Sequence, residues 1–144
     1  MAYLTGASTL VNNSAVVPLT ALVNTPAGTN LSLVVSGAGN GVRIASTGFY
    51  QVTYGVAPLL GTAVSAGSFQ LQINGAYAGV PNTVEFTKLS TQTGMYSETV
   101  IIPITVNPST LTIVNQSGVG VTLKSVSGSA TGGPGAYMTI LKLQ

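Results

Sequence analysis

The sequence predicts an all-β domain, a sandwich of two sheets for which the jelly roll is the favoured topology. Apolar residues recur at every second position or in short β-branched runs, and no segment has the spacing of an amphipathic helix. Gly, Pro, Asn and Ser divide these runs into about ten strands joined by short turns. A length of 144 residues suits one domain spanning 1–144.

The N-terminal part of the chain predicts short strands. Pro18 restricts its segment to a sheet edge or a strand end, because proline lacks the amide hydrogen that a ladder needs. Asn40-Gly41 predicts a tight turn, because both residues tolerate a positive φ. The segments predicted here are 3–8, 15–18, 21–23, 31–36 and 42–44.

The central strand extends from about Phe49 towards Pro58, and from Gly48 onward aromatic and β-branched residues follow in strict alternation. Further on, Phe69, Leu71 and Ile73 alternate with polar residues, and the Asn-Gly pair that follows predicts a hairpin turn. A run at 97–106 is mostly apolar and β-branched, which predicts burial on both of its faces. Further strands are predicted at 76–79, 84–86, 110–115, 121–126 and 136–143, with a loop at 127–135.

The composition leaves few residues that could perform chemistry. The chain contains no Cys, His or Asp, so a Ser-His-Asp triad, a thiol nucleophile and a thiolate zinc site are excluded. Its only carboxylates, Glu85 and Glu98, lie in different segments, and we expect them to be solvated or paired with a lysine. The sequence therefore predicts no catalytic residue, no metal site, no cofactor and no enzymatic activity.

Charge and hydropathy also argue against two other functions. The four cations are scattered along the chain, whereas nucleic-acid binding needs clustered cations that neutralise several phosphates. No apolar run approaches the 18 or so residues that membrane insertion needs. The N-terminus lacks the pattern of a signal peptide, so we expect either a different export route or a fragment of a longer protein.

The unusual positive feature is the low charge. Charged residues make up 4% of the chain, against about 25% in a typical domain. A surface of Ser, Thr, Asn and Gly beside many apolar residues leaves apolar area exposed in a monomer, and large exposed apolar patches mark interfaces. We therefore expect a stable oligomer; the alternative is a monomer with a large core and a neutral polar surface.

Residues 48–54, Gly-Phe-Tyr-Gln-Val-Thr-Tyr, resemble the Gly-x-Tyr-x-Phe-x-aromatic core of the complement-type globular heads in the tumour necrosis factor-like superfamily. The segment differs at Val52, where that family more often has Phe. Residues 41–54, 69–75 and 136–143 are similar to the C-terminal domains of the Bacillus collagen-like exosporium glycoproteins (BclA type). The similarity covers most of the chain from about residue 25 onward.

This resemblance implies a ten-stranded, tumour necrosis factor-like jelly roll that forms a homotrimer. In that family the domain caps a collagen-like stalk on the spore surface, and the sequence has no such stalk. The implied function is structural and adhesive, in the exosporium, with further exosporium proteins or host surface ligands as partners. An export route without a signal peptide fits, because the mother cell lays down spore-coat proteins.

The resemblance also implies which residues form the trimer interface. The sheet that contains the central strand faces the threefold axis in this fold. If Tyr50, Val52 and Tyr54 point into the sandwich, the alternate residues of that strand point towards neighbouring subunits. On the last strand we expect Lys142 to point outwards, together with two apolar residues. The predicted interface residues are Phe49, Gln51, Thr53, Met138 and Ile140.

The alternative function is a carbohydrate- or receptor-binding head, such as a lectin or the tip of a phage fibre. Such a head requires aromatic side chains exposed in a groove. Tyr77 and Tyr96 are the candidates for ligand contact. Their other interpretation is that both belong to the core or to an interface.

Overall fold

The computed structural model describes residues 1–4, 9–23, 30–34, 40–59, 66–79, 83–87, 94–124 and 134–144. These residues form strands, bridges and turns, and no helix occurs among them. Their thirteen strand segments are β1 (Ala2–Tyr3), β2 (Thr9–Val11), β3 (Ala21–Leu22), β4 (Leu31–Val34), β5 (Gly41–Ile44), β6 (Gly48–Val56), β7 (Ala66–Ile73), β8 (Ala76–Tyr77), β9 (Thr83–Thr87), β10 (Tyr96–Ile104), β11 (Ser109–Asn115), β12 (Val121–Leu123) and β13 (Ala136–Lys142).

Two antiparallel sheets form the sandwich. Sheet A has the strand order β10-β6-β13-β1-β3. Sheet B has the order β4-β5-β11-β7-β8, and β9 also pairs with β7. A separate two-stranded pair joins β12 to β2.

The strands of seven or more residues alternate between the sheets. β6 belongs to sheet A, β7 to sheet B, β10 to sheet A, β11 to sheet B and β13 to sheet A. Neighbours within a sheet are therefore distant in sequence, as β6 between β10 and β13 illustrates. This connectivity is that of a jelly roll, so the predicted all-β jelly-roll sandwich is confirmed.

The core lies between the inner faces of the two sheets. Period-two alternation supplies it, because the buried residues of β6 and β7 are the alternate apolar ones. The largest of its fully buried side chains include Tyr54, Phe69, Ile102, Leu111, Ile113 and Met138.

Gly48, at the start of β6, occupies a backbone conformation that favours glycine. Its φ is 143°, and a Cβ at this position would collide with the carbonyl oxygen of Gln144. The same carbonyl accepts a hydrogen bond from the Phe49 amide at 3.3 Å. The first glycine of the central motif thus permits close pairing with the end of the last strand.

The two Asn-Gly pairs behave differently. Asn74 and Gly75 have φ values of 52° and 79°, so the predicted hairpin turn between β7 and β8 is confirmed. The predicted turn at Asn40-Gly41 is wrong, because neither residue has a positive φ and Gly41 begins β5. Glycine is needed there for close packing, since a Cβ would collide with the backbone oxygen of Leu111.

Asn115 is a buried polar residue whose side chain joins three parts of the fold. Its Nδ2 donates to the Val11 and Val119 carbonyl oxygens, each at 2.8 Å. Its Oδ1 accepts a hydrogen bond from the Ser117 amide at 2.9 Å. The amide therefore fixes the end of β11 against β2 and against the turn that leads to β12.

We expect Asn115→Ala to lower the free energy of unfolding by about 1–3 kcal/mol, because buried backbone groups lose their partners. Asn115→Asp should cost more, since a carboxylate would face two carbonyl oxygens. Chemical denaturation measures both effects. The exposed neighbour Gln116 provides the control, and Gln116→Ala should change stability by less than about 0.5 kcal/mol. Equal stability of the Asn115 and Gln116 variants would contradict this assignment.

Candidate functional site

The outer face of sheet A is the candidate site, and we call it the open face. Three adjacent strands contribute its residues. Directly opposite residues of antiparallel strands share a face, so these residues form rows across the sheet. Its rows run across β10, β6 and β13. The open face consists of Pro103 and Phe49, then Ile101, Gln51 and Leu141, then Thr99, Thr53 and Thr139, then Ser97, Gly55 and Tyr137.

Large apolar side chains of the open face remain exposed in the single chain. Phe49 is 51% exposed, and Ile101 and Leu141 are each 56% exposed. Covering the exposed half of each would contribute about 1 kcal/mol, since complete burial of such a side chain is worth roughly 1.5–3 kcal/mol. Association that covered the open face would therefore be stabilised by the burial of these side chains.

The described residues of the open face carry no formal charge. Two charged residues lie on its strands, but the register places both on the opposite face. Glu98 pairs with Tyr54, and Lys142 pairs with Tyr50. The Lys142 Nζ lies 6.0 Å from the centre of the Tyr50 ring. Burying the open face would thus need no desolvation of a charge.

The outer face of sheet B has a different composition. Exposed Arg43 lies on it opposite Ser32, and exposed Glu85 lies opposite Ser68. Between them, the Gln72 Nε2 donates to Gln70 Oε1 at 3.1 Å. One outer face of the sandwich is thus polar and charged, whereas the open face is uncharged and rich in apolar groups.

Pro103 protects the free edge of β10. The Phe49 backbone forms its hydrogen bonds with the C-terminal residues, on the side away from β10. Its amide donates to the Gln144 oxygen, and its own oxygen accepts from the Leu143 amide at 2.8 Å. Phe49 and Pro103 are therefore a non-hydrogen-bonded pair, and the Pro103 backbone points to the free edge. Because proline has no N–H, this position disfavours addition of another strand, so the open face rather than the edge is available.

The predicted orientation of the central strand is confirmed. Tyr50, Val52 and Tyr54 are at most 2% exposed and belong to the core. Their alternate neighbours Phe49, Gln51 and Thr53 lie on the open face, and Thr53 Oγ1 lies 2.9 Å from Thr99 Oγ1. Their role in a trimer stays a prediction.

The predicted orientation of the last strand is wrong. Met138 is fully buried, and Ile140 packs against the core. They pair with Tyr54 and Val52, both core residues, so they point away from the open face. The error came from Lys142, which shares their inner face but reaches solvent beyond the end of the core, as long lysine side chains do.

The sequence pattern did not identify two major residues of the open face. Residues 97–106 were predicted to be buried on both sides, but β10 alternates, and Ile101 is exposed. On β13 the outward residue is Leu141, one position from the predicted Ile140. Neither assignment could be read from the residue types, because residues 100–104 of β10 are all apolar and the parity of β13 required its register with β6.

The two tyrosines proposed as ligand contacts have different environments. Tyr77 in β8 is 50% exposed. Tyr96 is half-buried and packs against the core, with its ring centre 5.7 Å from that of Phe86. Tyr96 is therefore better described as a residue of the core than as a ligand contact in an exposed groove.

Other sites are not apparent in the described part of the chain. No group of three or more His, Cys, Asp or Glu residues lies close enough there to hold a metal ion. Glu85 and Glu98, the only carboxylate side chains, are exposed on strands of different sheets. None of the described segments forms a helix long and apolar enough to cross a membrane.

Comparisons with known proteins identify no family for this chain. No protein-family model matches it, and no curated protein matches it. Among solved structures, a family 35 carbohydrate-binding module from an environmental isolate is similar, with 16% identity and a TM-score of 0.44. The alignment covers 99% of this chain and 96% of the module. A likeness this distant supports no conclusion about what the present chain binds.

Tyr54, on the core side of β6, links the stability of this sheet to alkaline pH. Burial raises the pKa of its hydroxyl far above the ordinary value of 10.0, and the negative charge of Glu98 raises it further. Backbone hydrogen bonds from Leu71 and Val84 act in the opposite direction but are outweighed. The folded protein therefore keeps this phenol protonated where an unfolded chain would ionise it.

We expect part of the alkaline loss of stability to come from Tyr54. Above pH 10 the unfolded state releases a proton that the folded state retains, so stability falls as pH rises. In Tyr54→Phe this contribution is absent, so its Tm should fall less between pH 9 and pH 11 than the wild-type Tm. Thermal melts across this range measure the difference, with each protein's pH 7 value as its reference. Parallel curves for the two proteins would contradict the assignment.

Proposed function

We propose that this chain is a non-enzymatic head domain of a surface protein, and that it self-associates into a homotrimer through the open face. The observation that carries the proposal is the contrast between the two outer faces of the sandwich. Sheet A presents half-exposed Phe49, Ile101 and Leu141 with no charge, whereas sheet B presents charged and paired polar groups. A surface of the first kind is typical of an interface.

Trimeric state and location follow from the resemblance of residues 41–54, 69–75 and 136–143 to the exosporium domains. On that basis we place the protein in the outer layer of a spore. Its role there is structural and adhesive, with other exosporium proteins or host surface ligands as further partners. The jelly-roll connectivity and the outward position of Phe49 agree with this proposal.

A neighbouring copy is the occupant that best fits the open face. A charged partner would have to bury charges against a face that has none to pair with them, and this is costly. A second copy brings the same uncharged surface, so no charge is desolvated on either side. Pro103 disfavours strand addition at the adjacent edge, which leaves contact between faces as the mode of association.

The test is the mass of the protein in solution. We expect light scattering to give three times the 14.4 kDa of the chain for the wild type. Phe49→Asp should reduce this to the mass of one chain, because an interface would have to bury an unpaired carboxylate. The same change at Leu10, which is 60% exposed but lies in β2, should leave the mass unchanged.

A monomeric wild type would refute the proposal. So would a Phe49→Asp variant that remains trimeric, because residue 49 would then lie outside the interface. Circular dichroism of both variants checks that any change of mass does not arise from unfolding.

A further inference from the structure

Gln51 lies at the centre of the open face, among apolar side chains. It pairs across the sheet with Ile101 on one side and Leu141 on the other. Along β6 its neighbours on the same face are Phe49 and Thr53. The three apolar neighbours are half-exposed. Gln51 is thus the one amide in a patch from which association would exclude water.

The amide of Gln51 has no hydrogen-bond partner among the described residues. Some other polar groups of the two outer faces do have one. Thr53 bonds Thr99 on the same open face, and Gln70 bonds Gln72 on the outer face of sheet B. Within the described part of the chain, solvent is therefore the partner left for the Gln51 amide.

Covering the open face removes that solvent. A buried amide without a partner costs about 1–3 kcal/mol, comparable with the gain from a covered apolar neighbour. The Ile101, Leu141 and Phe49 side chains beside it offer no hydrogen-bonding groups, and the Thr53 hydroxyl already bonds Thr99. A neighbouring copy is therefore the best source of a partner.

Rotational symmetry brings a residue near the axis close to its own equivalents. A residue placed there must be able to pair with itself, which lysine and glutamate cannot do because like charges repel. An amide can, since its NH₂ donates while its oxygen accepts, and a ring of amides closes with every member as both donor and acceptor.

We propose that Gln51 bonds the Gln51 side chains of neighbouring copies at the symmetry axis, and so determines the register and number of subunits. This inference rests on the proposed self-association. It assigns Gln51 the role that a single buried polar residue has in coiled coils, where it selects one assembly at some cost in stability.

Cross-linking tests the proposal, because the chain contains no cysteine. Gln51→Cys introduces one thiol per chain, and a disulfide forms only where two Cα atoms lie within about 7 Å. We expect oxidation to give disulfide-linked dimers, limited in a trimer to about two-thirds of the chains because three thiols make one bond. Gln70→Cys, on the outer face of sheet B, should remain unlinked.

A second test applies if the Gln51 residues of neighbouring copies lie too far apart for a disulfide. It replaces Gln51 by residues of opposite charge. Gln51→Glu and Gln51→Lys should each be monomeric at pH 7, because like charges would meet at the axis. Mixing the two variants should restore assembly, since a mixed trimer has two contacts between opposite charges and one between like charges. Gln70→Glu keeps the oxygen that accepts from Gln72 and should assemble like the wild type.

The outcomes separate this inference from the function on which it rests. If the wild type is monomeric, both fail. If the wild type assembles but Gln51→Cys remains unlinked and the mixture of charged variants does not assemble, self-contact of Gln51 is wrong and self-association stands. A disulfide, or assembly of the mixture alone, supports the contact.

Discussion

The register of β6 with its two neighbours decides which side chains of sheet A are buried and which are exposed. β6 is paired with β10 over its whole length and with β13 over residues 50–56. Because opposite residues share a face, the alternation of β6 is imposed on both neighbours. A shift by one residue would exchange Tyr54 with Thr53 and bury threonines where the core needs aromatic rings.

This dependence explains which features were predictable from the sequence. The central strand alternates so strictly that its two faces were assigned correctly, and the turn at Asn74-Gly75 follows from local chemistry. The last strand is apolar at nearly every position, so its parity cannot be read from composition. Pairing of Met138 with Tyr54, a contact between distant segments, decides it.

Lys142 and Gly41 show how a correct local rule gives a wrong prediction. A charged residue usually marks the solvent side, but at the end of a strand a long side chain reaches water from the core side, as Lys142 does over Tyr50. An Asn-Gly pair usually forms a turn, but Gly41 is required because β11 passes too close for a Cβ. In both cases the packing of a distant element outweighs the local preference.

The positions of the few charged residues on the surface matter as much as their small number. Exposed Arg43 and Glu85 lie on the outer face of sheet B, and Glu98 and Lys142 point to the core side of sheet A. With so few charges available, keeping all of these away from one face leaves that face free of desolvation cost. Specificity then has to come from neutral groups, and Gln51 is the one amide of the open face, without a hydrogen-bond partner among the described residues. An apolar patch alone could associate in several registers, whereas a central amide penalises every register that leaves it unpaired.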